Sequence, residues 1–298
     1  MKRIITYNIS EKYQDKKIEY FLKDMQYPHA VIVQLKKTEN GIMLNNKWAY
    51  VRDSLSSGDI LTLTITEPLN SSDIMPVNLD INVVYEDEDL VVIDKPCNMP
   101  VHPSMKNYDN TLANAIMYRY RDTSDGFVYR CINRLDRDTT GLTIVAKNCL
   151  SGAILGRQVA QKTLSRKYLA ICKGKVDSKG TINAPIARLD GSTIERCVDY
   201  EKGETSVTHY TLADYNPKLD LSLVQLQLET GRTHQIRVHM KHIGHPLIGD
   251  FLYNPDYSQI SRQALHSAEL SFTHPVTQQK MHLKAQLPLD MKRIFQIV

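Results

Sequence analysis

Apolar and polar positions recur with two different periods along this chain of 298 residues, and the switches between them mark its elements. In residues 15–25, DKKIEYFLKDM, Ile18, Phe21, Leu22 and Met25 fall at i, i+3, i+4 and i+7, one face of an amphipathic helix. Pro28 ends that pattern, and His29–Lys37 predicts a second short helix finishing in Lys36 and Lys37. Asn40-Gly41 breaks the chain. IMLNNKWAYV then predicts a hairpin turning at Asn45-Asn46, and ILTLTI (60–65) alternates as a strand. Two helices followed by a small sheet define a compact α+β unit over residues 1–66. The segment EPLNSSDIMPVN (67–78) has two prolines and no periodicity, and reads as a linker.

From residue 79 the pattern turns strand-rich. INVVYEDEDLVVIDKP is two β-rich runs around a solvated acidic turn, Glu86–Asp89. Residues 110–121 predict a helix, and GLTIVAKN a strand whose Asn148 caps a helix from Cys149 to about Gln161. SRKYLAICKG predicts a strand with Tyr168, Ala170 and Cys172 on one face. VTHYTLAD, LSLVQLQLET and the run beginning QIRVHM continue the strand-rich character. Residues 79–298 are therefore expected to form an α+β domain on a mixed, mostly antiparallel sheet flanked by helices and loops.

Composition narrows the function classes. With 42% apolar and 23% charged residues the chain has globular composition rather than that of a fibre or a disordered tail. No run approaches the ~18–20 apolar residues of a membrane span, and the N-terminus lacks the apolar core of a secretory signal, so a cytoplasmic chain with no membrane partner is expected. Thirty-seven Lys and Arg against 33 Asp and Glu leave a net charge of +4, which permits an anionic partner without demanding one. The five cysteines include no CxxC, so neither a disulfide framework nor a zinc ribbon is expected.

Three segments carry candidate chemistry. In Asn133-Arg134-Leu135-Asp136-Arg137-Asp138-Thr139-Thr140-Gly141, two carboxylates two residues apart would share a face roughly 7 Å apart in extended chain. Such a pair suits glycosidic chemistry, though this stretch alone reads more readily as a surface loop in which Arg and Asp neutralise each other. Gly231-Arg232-Thr233-His234-Gln235-Ile236-Arg237 offers cations for phosphates or a carboxylate. His234, His239, His242 and His245 match no metal-ligand spacing, so they read as histidines on a polar strand and turn. Arg166-Lys167-Tyr168 suits a base stacked on the ring beside backbone-holding cations, and equally ordinary sheet packing.

Taken in this order, the segments resemble the RluA-type family of pseudouridine synthases, in the motifs RLDRDTTG, SRKYLA and GRTHQIR. The opening block YEDEDLVVIDKPCNMPVHPS, with Lys95, Pro96, His102 and Pro103, and the later GHPLIGD, LHSAEL and FTHPVT are also similar to that family. One departure is Asn133, where the family commonly has His: Asn keeps hydrogen bonding but does not titrate near neutrality. Residues 12–66 resemble, more loosely, a small RNA-binding domain shared with a ribosomal small-subunit protein, whose Lys16, Lys17, Lys23, Lys36 and Lys37 would meet phosphates or form a solvated helix face.

The resemblance implies an isomerase that moves uracil from its nitrogen-linked to its carbon-linked attachment, in large-subunit ribosomal RNA or in transfer RNA. No redox change or net hydrolysis occurs, so no cofactor and no metal is expected, and the enzyme is expected to act as a monomer. It implies Asp136 as catalytic carboxylate, Arg237 as the cation that keeps it ionised through an Asp136–Arg237 ion pair, and Tyr168 as the aromatic that stacks on uracil and relays a proton. Arg134, Arg137, Arg166, Arg232, Thr139 and Thr140 are candidate substrate-binding residues. The competing expectations are an RNA-binding protein without catalysis on the same scaffold, and a metal-dependent hydrolase using the histidines and the acidic turn.

Overall fold

The computed structural model describes residues 2–67, 74–123 and 126–295. It opens with β1 (Lys2–Asn8), then α1 (Ile18–Asp24), α2 (His29–Lys37), β2 (Ile42–Leu44), β3 (Lys47–Trp48) and β4 (Ile60–Thr66). These strands form an antiparallel sheet in the order β1-β4-β2-β3. Both helices have the expected places, and the hairpin turns at Asn45 and Asn46 with φ of 50° and 63°, the left-handed geometry that a tight two-residue connection requires. β1 alternates in burial, but its inward face mixes Arg3 and Tyr7 with Ile5 while Ile4 stands outside, so apolar and polar residue types do not alternate along it. Of the expected linker, Glu67 is buried and residues 68–73 lie outside the described residues.

The remainder comprises β5 (Asn82–Glu86), β6 (Leu90–Lys95), α3 (Leu112–Arg119), β7 (Arg130–Cys131), β8 (Thr140–Ala146), α4 (Cys149–Ala160), β9 (Ser165–Lys173) and β10 (Lys179–Asn183). It continues with β11 (Ile186–Arg188), β12 (Arg196–Val198), β13 (Val207–Asn216), β14 (Leu221–Leu228), α5 (Gln235–His242), β15 (Leu265–Thr273), β16 (Lys280–Lys284) and α6 (Leu289–Phe295). The large sheet runs β10-β13-β14-β9-β15-β8-β6-β5, with β16 beside β15 and β7 beside β8. Its pairings are antiparallel except β15 with β8. The fold is thus α+β on a mixed, mostly antiparallel sheet, as the pattern predicts. Gly141 makes the parallel contact possible: at φ of 105°, a Cβ there would meet the Ser267 carbonyl oxygen at 2.3 Å.

Two expectations are corrected. QIRVHM is the helix α5 and not a strand. Its apolar Ile236, Val238 and Met240 alternate with Arg237 and His239, but those polar residues are equally buried, so the alternation carried no inside–outside information. Nor is the acidic turn solvated as a whole: of its four acids only Glu88 is exposed. Glu86 accepts from Arg119, Tyr120 and Lys147, Asp87 from Tyr85 and His274, and Asp89 from Arg3 and Asn148, donors brought from distant segments.

The small sheet is clamped to the large one by charge and apolar contact. Arg3 donates through Nε and Nη2 to Asp89 at 3.0 and 2.9 Å. Glu67 accepts from Arg130 and from the Cys149 amide at the start of α4, each at 2.6 Å. Leu150 and Ile154 of α4 share one apolar cluster with Leu22, Leu35 and Leu63. Arg3→Met is expected to strand a buried carboxylate and cost about 3–5 kcal/mol, read as a lowered urea midpoint.

Candidate active site

β15 is the spacer that brings the motifs together. On one side it pairs with β8, whose N-terminal end receives the Asn133–Thr139 loop; on the other it pairs with β9, placing Ser267 opposite Tyr168. β14 lies beyond β9 and runs through residues 229–234 into α5, which carries Arg237. Entry into α5 is set by His234, whose φ of 58° turns the chain. Gln235 holds that turn: its Oε1 accepts from Thr230 Oγ1 and the Arg232 amide, and its Nε2 donates to the Val207 carbonyl and Thr208 Oγ1.

Arg237 is the centre of the constellation. Its side chain is 1% exposed and donates through Nε and Nη2 to Asp250 at 2.7 and 2.8 Å, while Nη1 donates to Asp136 Oδ2 at 2.9 Å. Burial alone would weaken this cation, but the hydrogen bonds to Asp250 and the field of Asp136 outweigh it and raise its pKa further. Asp250 is fully buried, whereas the Asp136 side chain is 27% exposed, so the enclosed ion pair is Arg237–Asp250 and Asp136 faces the opening.

Asp136 opens onto a cleft of about 320 Å³, walled by Asn133, Arg134, Arg166, Tyr168 and His234. His234 Nε2 stands 3.9 Å from Asp136 Oδ2 while its Nδ1 meets the Tyr253 hydroxyl at 3.0 Å; burial lowers its pKa, with Asp136 opposing. Tyr168 is buried, and that burial raises its phenol above the ordinary range, so it is a neutral ring at physiological pH. Arg166 is 7% exposed and has no carboxylate partner among the described residues: Nη2 reaches the Thr230 carbonyl at 3.5 Å and Nε has no partner there. Gly231 leaves it room, since a Cβ there would lie 2.9 Å from Arg166 Nη1.

The other candidates divide. Thr139 and Arg232 line the cleft; Arg232 Nη1 pairs with Glu204, and Arg134 is exposed with no ion pair among the described residues. Arg137 and Thr140 are not brought to the cleft: Arg137 pairs with Asp138 at 2.9 Å, and Thr140 Oγ1 meets His266 Nδ1 at 2.9 Å. The two carboxylates of this loop do not share a face, because residues 136–139 form a turn closed by the Thr139 amide on the Asp136 carbonyl. Asn133 is a brace, with Nδ2 donating to the Leu142 carbonyl and Oδ1 accepting from the Ile144 amide.

No helix among the described residues is long and apolar enough to cross a membrane. The one trio there that converges its ligand atoms, Asp87, Asp89 and His274, is already occupied by hydrogen bonds. His274 Nδ1 accepts from the Thr277 amide, which leaves Nε2 to donate to Asp87 at 2.7 Å.

The sequence profile of the RNA pseudouridylate synthase family matches residues 89–242, a span holding Asp136, Tyr168 and Arg237. The uncharacterized RNA pseudouridine synthase YhcT of Bacillus subtilis is 37% identical over 287 residues, covering 96% of this chain and 94% of that protein. The chain belongs to the RNA pseudouridylate synthase family. Ribosomal large subunit pseudouridine synthase D of Zymomonas mobilis is also 37% identical, over 87% of this chain and 86% of its own. Among solved structures, human RNA pseudouridylate synthase domain containing 1 superposes with a TM-score of 0.57 at 26% identity, over 70% of this chain and 83% of that one. The synthase family consists of isomerases that convert uridine to pseudouridine in RNA.

Sequence reasoning missed three residues of this synthase's site. Asp250 stands in the GHPLIGD block, where a lone Asp gives no hint that it grips an Arg thirteen positions back. His234 looked like one histidine among four. Lys95 is fully buried and donates to the carbonyls of Pro96, Met99 and Arg137, tying the Asp136 loop to the turn after β6. Burial lowers its pKa to about 7, with Asp138 and Asp136 opposing.

Two outcomes follow for the synthase. Arg237→Ala is expected to cost about 3–5 kcal/mol in urea unfolding, chiefly by stranding Asp250 rather than Asp136. Between about pH 7 and the ordinary lysine range the unfolded chain binds the Lys95 proton and the native state does not, so this group makes stability rise with pH. Unfolding curves at pH 6, 8 and 9.5 should show that rise shrink in Lys95→Met.

Proposed function

We propose that this synthase isomerises uridine in large-subunit ribosomal RNA in the cytoplasm, with Asp136 as its catalytic carboxylate. What carries the assignment is the asymmetry of Arg237: two of its donors are spent on buried Asp250, and a third aims Asp136 at the cleft beside a buried aromatic ring. A carboxylate so placed can attack the anomeric carbon or stabilise positive charge developing there as the bond to uracil nitrogen breaks. The freed base turns within the cleft, ring carbon 5 bonds the same sugar carbon, the proton on carbon 5 passes to solvent and the freed ring nitrogen takes one up, so that the product is an isomer of uridine. Tyr168, as a neutral phenol, serves as the surface against which uracil lies and turns; its raised pKa makes it a weak proton acceptor.

Cations in and around the cleft fit the rest of the substrate: Arg166 and Arg134 have no acid partner among the described residues, and Arg232 at the mouth pairs with Glu204. A buried guanidinium without an acid is costly unless an anion completes it, and among the described residues Arg166 stands in that position inside the cleft. We assign Arg166 to the phosphate or carbonyl oxygens of the flipped nucleotide, and Arg134 and Arg232 to flanking backbone at the mouth. Extruding a uridine costs a few kcal/mol, which such contacts offset. Relatives named for the large ribosomal subunit support that RNA as substrate, and residues 1–66 would add grip as an RNA-binding unit.

The test maps pseudouridines by carbodiimide and primer extension in RNA from cells with and without the gene, complemented by wild type or Asp136→Asn. Sites in large-subunit RNA should vanish without the gene and return with wild type only. The purified variant should lose about 10⁴-fold in turnover while its melting temperature stays near wild type, since Asp250 still holds Arg237. Restoration by the variant would refute Asp136 as catalyst, and lost sites in transfer RNA alone would refute the ribosomal substrate.

A further inference from the structure

Of the residues that wall the cleft, His234 alone, glycine aside, holds the left-handed backbone region, at φ of 58° and ψ of 17°. Its ring is fixed from behind. The Arg196 amide donates to the Tyr253 hydroxyl at 2.9 Å, and that hydroxyl meets His234 Nδ1 at 3.0 Å. The two rings stand edge to face with centroids 5.8 Å apart. Backbone and ring contacts together turn the far edge of the imidazole, Nε2, toward Asp136.

These contacts decide where the imidazole carries its hydrogen. Burial pushes the Tyr253 phenol up to about 12, so the hydroxyl keeps its own hydrogen at neutral pH. Its oxygen already accepts from the Arg196 amide, and Nδ1 is the acceptor that the hydroxyl hydrogen finds among the described residues. With hydrogen on Nδ1 instead, two donors would converge on one phenol oxygen and the hydroxyl hydrogen would have no acceptor there. Nδ1 therefore accepts. The ring is neutral because burial, with Arg237 and Arg196 beside it, outweighs the pull of Asp136 and Asp250. A neutral ring that accepts at Nδ1 carries its hydrogen on Nε2. That atom stands 3.9 Å from Asp136 Oδ2, beyond hydrogen-bond reach, and has no other partner among the described residues. The cleft thus holds one carboxylate and one unspent neutral donor aimed at the same place.

We infer that His234 is a further catalytic residue of the isomerisation: its Nε2–H donates to the 2-carbonyl oxygen of uracil as the glycosidic bond breaks. Uracil leaves with the electron pair of that bond, and the negative charge spreads from ring nitrogen 1 onto the adjacent 2-carbonyl, where a fixed donor stabilises it. The inference rests on Asp136 facing the sugar carbon, since a donor so near that carboxylate lies beside the bond it attends. A half-turn of the base about the line through ring nitrogen 3 and ring carbon 6 exchanges nitrogen 1 with carbon 5 and the 2-carbonyl with the 4-carbonyl. The same N–H then meets the 4-carbonyl while carbon 5 bonds the sugar, so one donor serves both orientations. No proton leaves the imidazole. A neutral donor is also what this place needs, because an imidazolium would pair with Asp136 and quench it.

Two-bond proton–nitrogen spectra of the full-length protein, with nitrogen-15 in its histidines, read the hydrogen directly. His234, assigned by the signal missing in His234→Gln, should be the neutral Nε2–H form at neutral pH. An Nδ1–H ring or an imidazolium overturns the inference. Turnover is followed as tritium released from carbon 5 of uridine in RNA from cells lacking the gene. His234→Phe should lower kcat about 10²-fold with KM little changed. His234→Gln, which returns an N–H at similar reach, should recover most of it. A loss confined to KM, or an equal loss in both variants, overturns the inference. In a transcript spanning a mapped site, 2-thiouridine at the target should slow the wild type and barely affect His234→Phe, because sulfur accepts poorly. Equal slowing of both overturns the inference too. The spectrum needs no turnover, so failure of the Asp136 assignment, seen as tritium release by Asp136→Asn, is distinguishable from failure of this one.

Discussion

A guanidinium has five N–H donors in one rigid plane, and the site is built on how Arg237 distributes them. Buried as it is, this cation needs an acid that is also buried, and Asp250 supplies both oxygens. Asp250 is held in turn by the amides of Leu252 and Tyr253, and the rings of Phe251 and Tyr253 lie 5.3 and 5.0 Å from the guanidinium carbon. With that plane locked, Nη1 can point in only one direction. Asp136 meets it there, so the orientation of a partly exposed carboxylate is set by a fully buried pair behind it.

The sheet explains why three motifs far apart in sequence share one cleft. β15 lies between β8 and β9, and its close parallel contact with β8 depends on the missing side chain at Gly141. Lys95 fastens the Asp136 loop from beneath through three carbonyls. On the outer side gather cations that have no acid partner among the described residues: Arg166 inside the cleft, Arg134 at its mouth. The result is one acid facing a pocket whose remaining charge is positive, an arrangement that admits a polyanion while retaining a negative group where a sugar carbon would arrive.

Legibility followed the kind of signal each element carries. α2 and α4 were readable to within a residue because an apolar stripe and a cap at Asn148 announce them locally. α5 was misread because its partners bury Arg237 and His239 as deeply as Ile236, which erases the polarity contrast that periodicity depends on. β1 was invisible because its inward face carries Arg3 and Tyr7 beside Ile5 while Ile4 faces out, so residue type and burial do not alternate together. The acidic turn looked solvated because Arg3, Arg119, Lys147 and His274, which neutralise it, come from four separate parts of the chain.

By itself the sequence determined the family, the α+β class and three motifs of reactive residue types, because these depend on local pattern and on short ordered blocks. Only the tertiary structure decided which neighbours those residues have. Asp250 as the partner of Arg237, Arg166 as a cation left without an acid among the described residues, and Arg137 turned away to Asp138 are outcomes of where strands and helices end in space. A charged side chain takes its character from what surrounds it within a few ångströms, and that distance is set by the fold rather than by position along the chain.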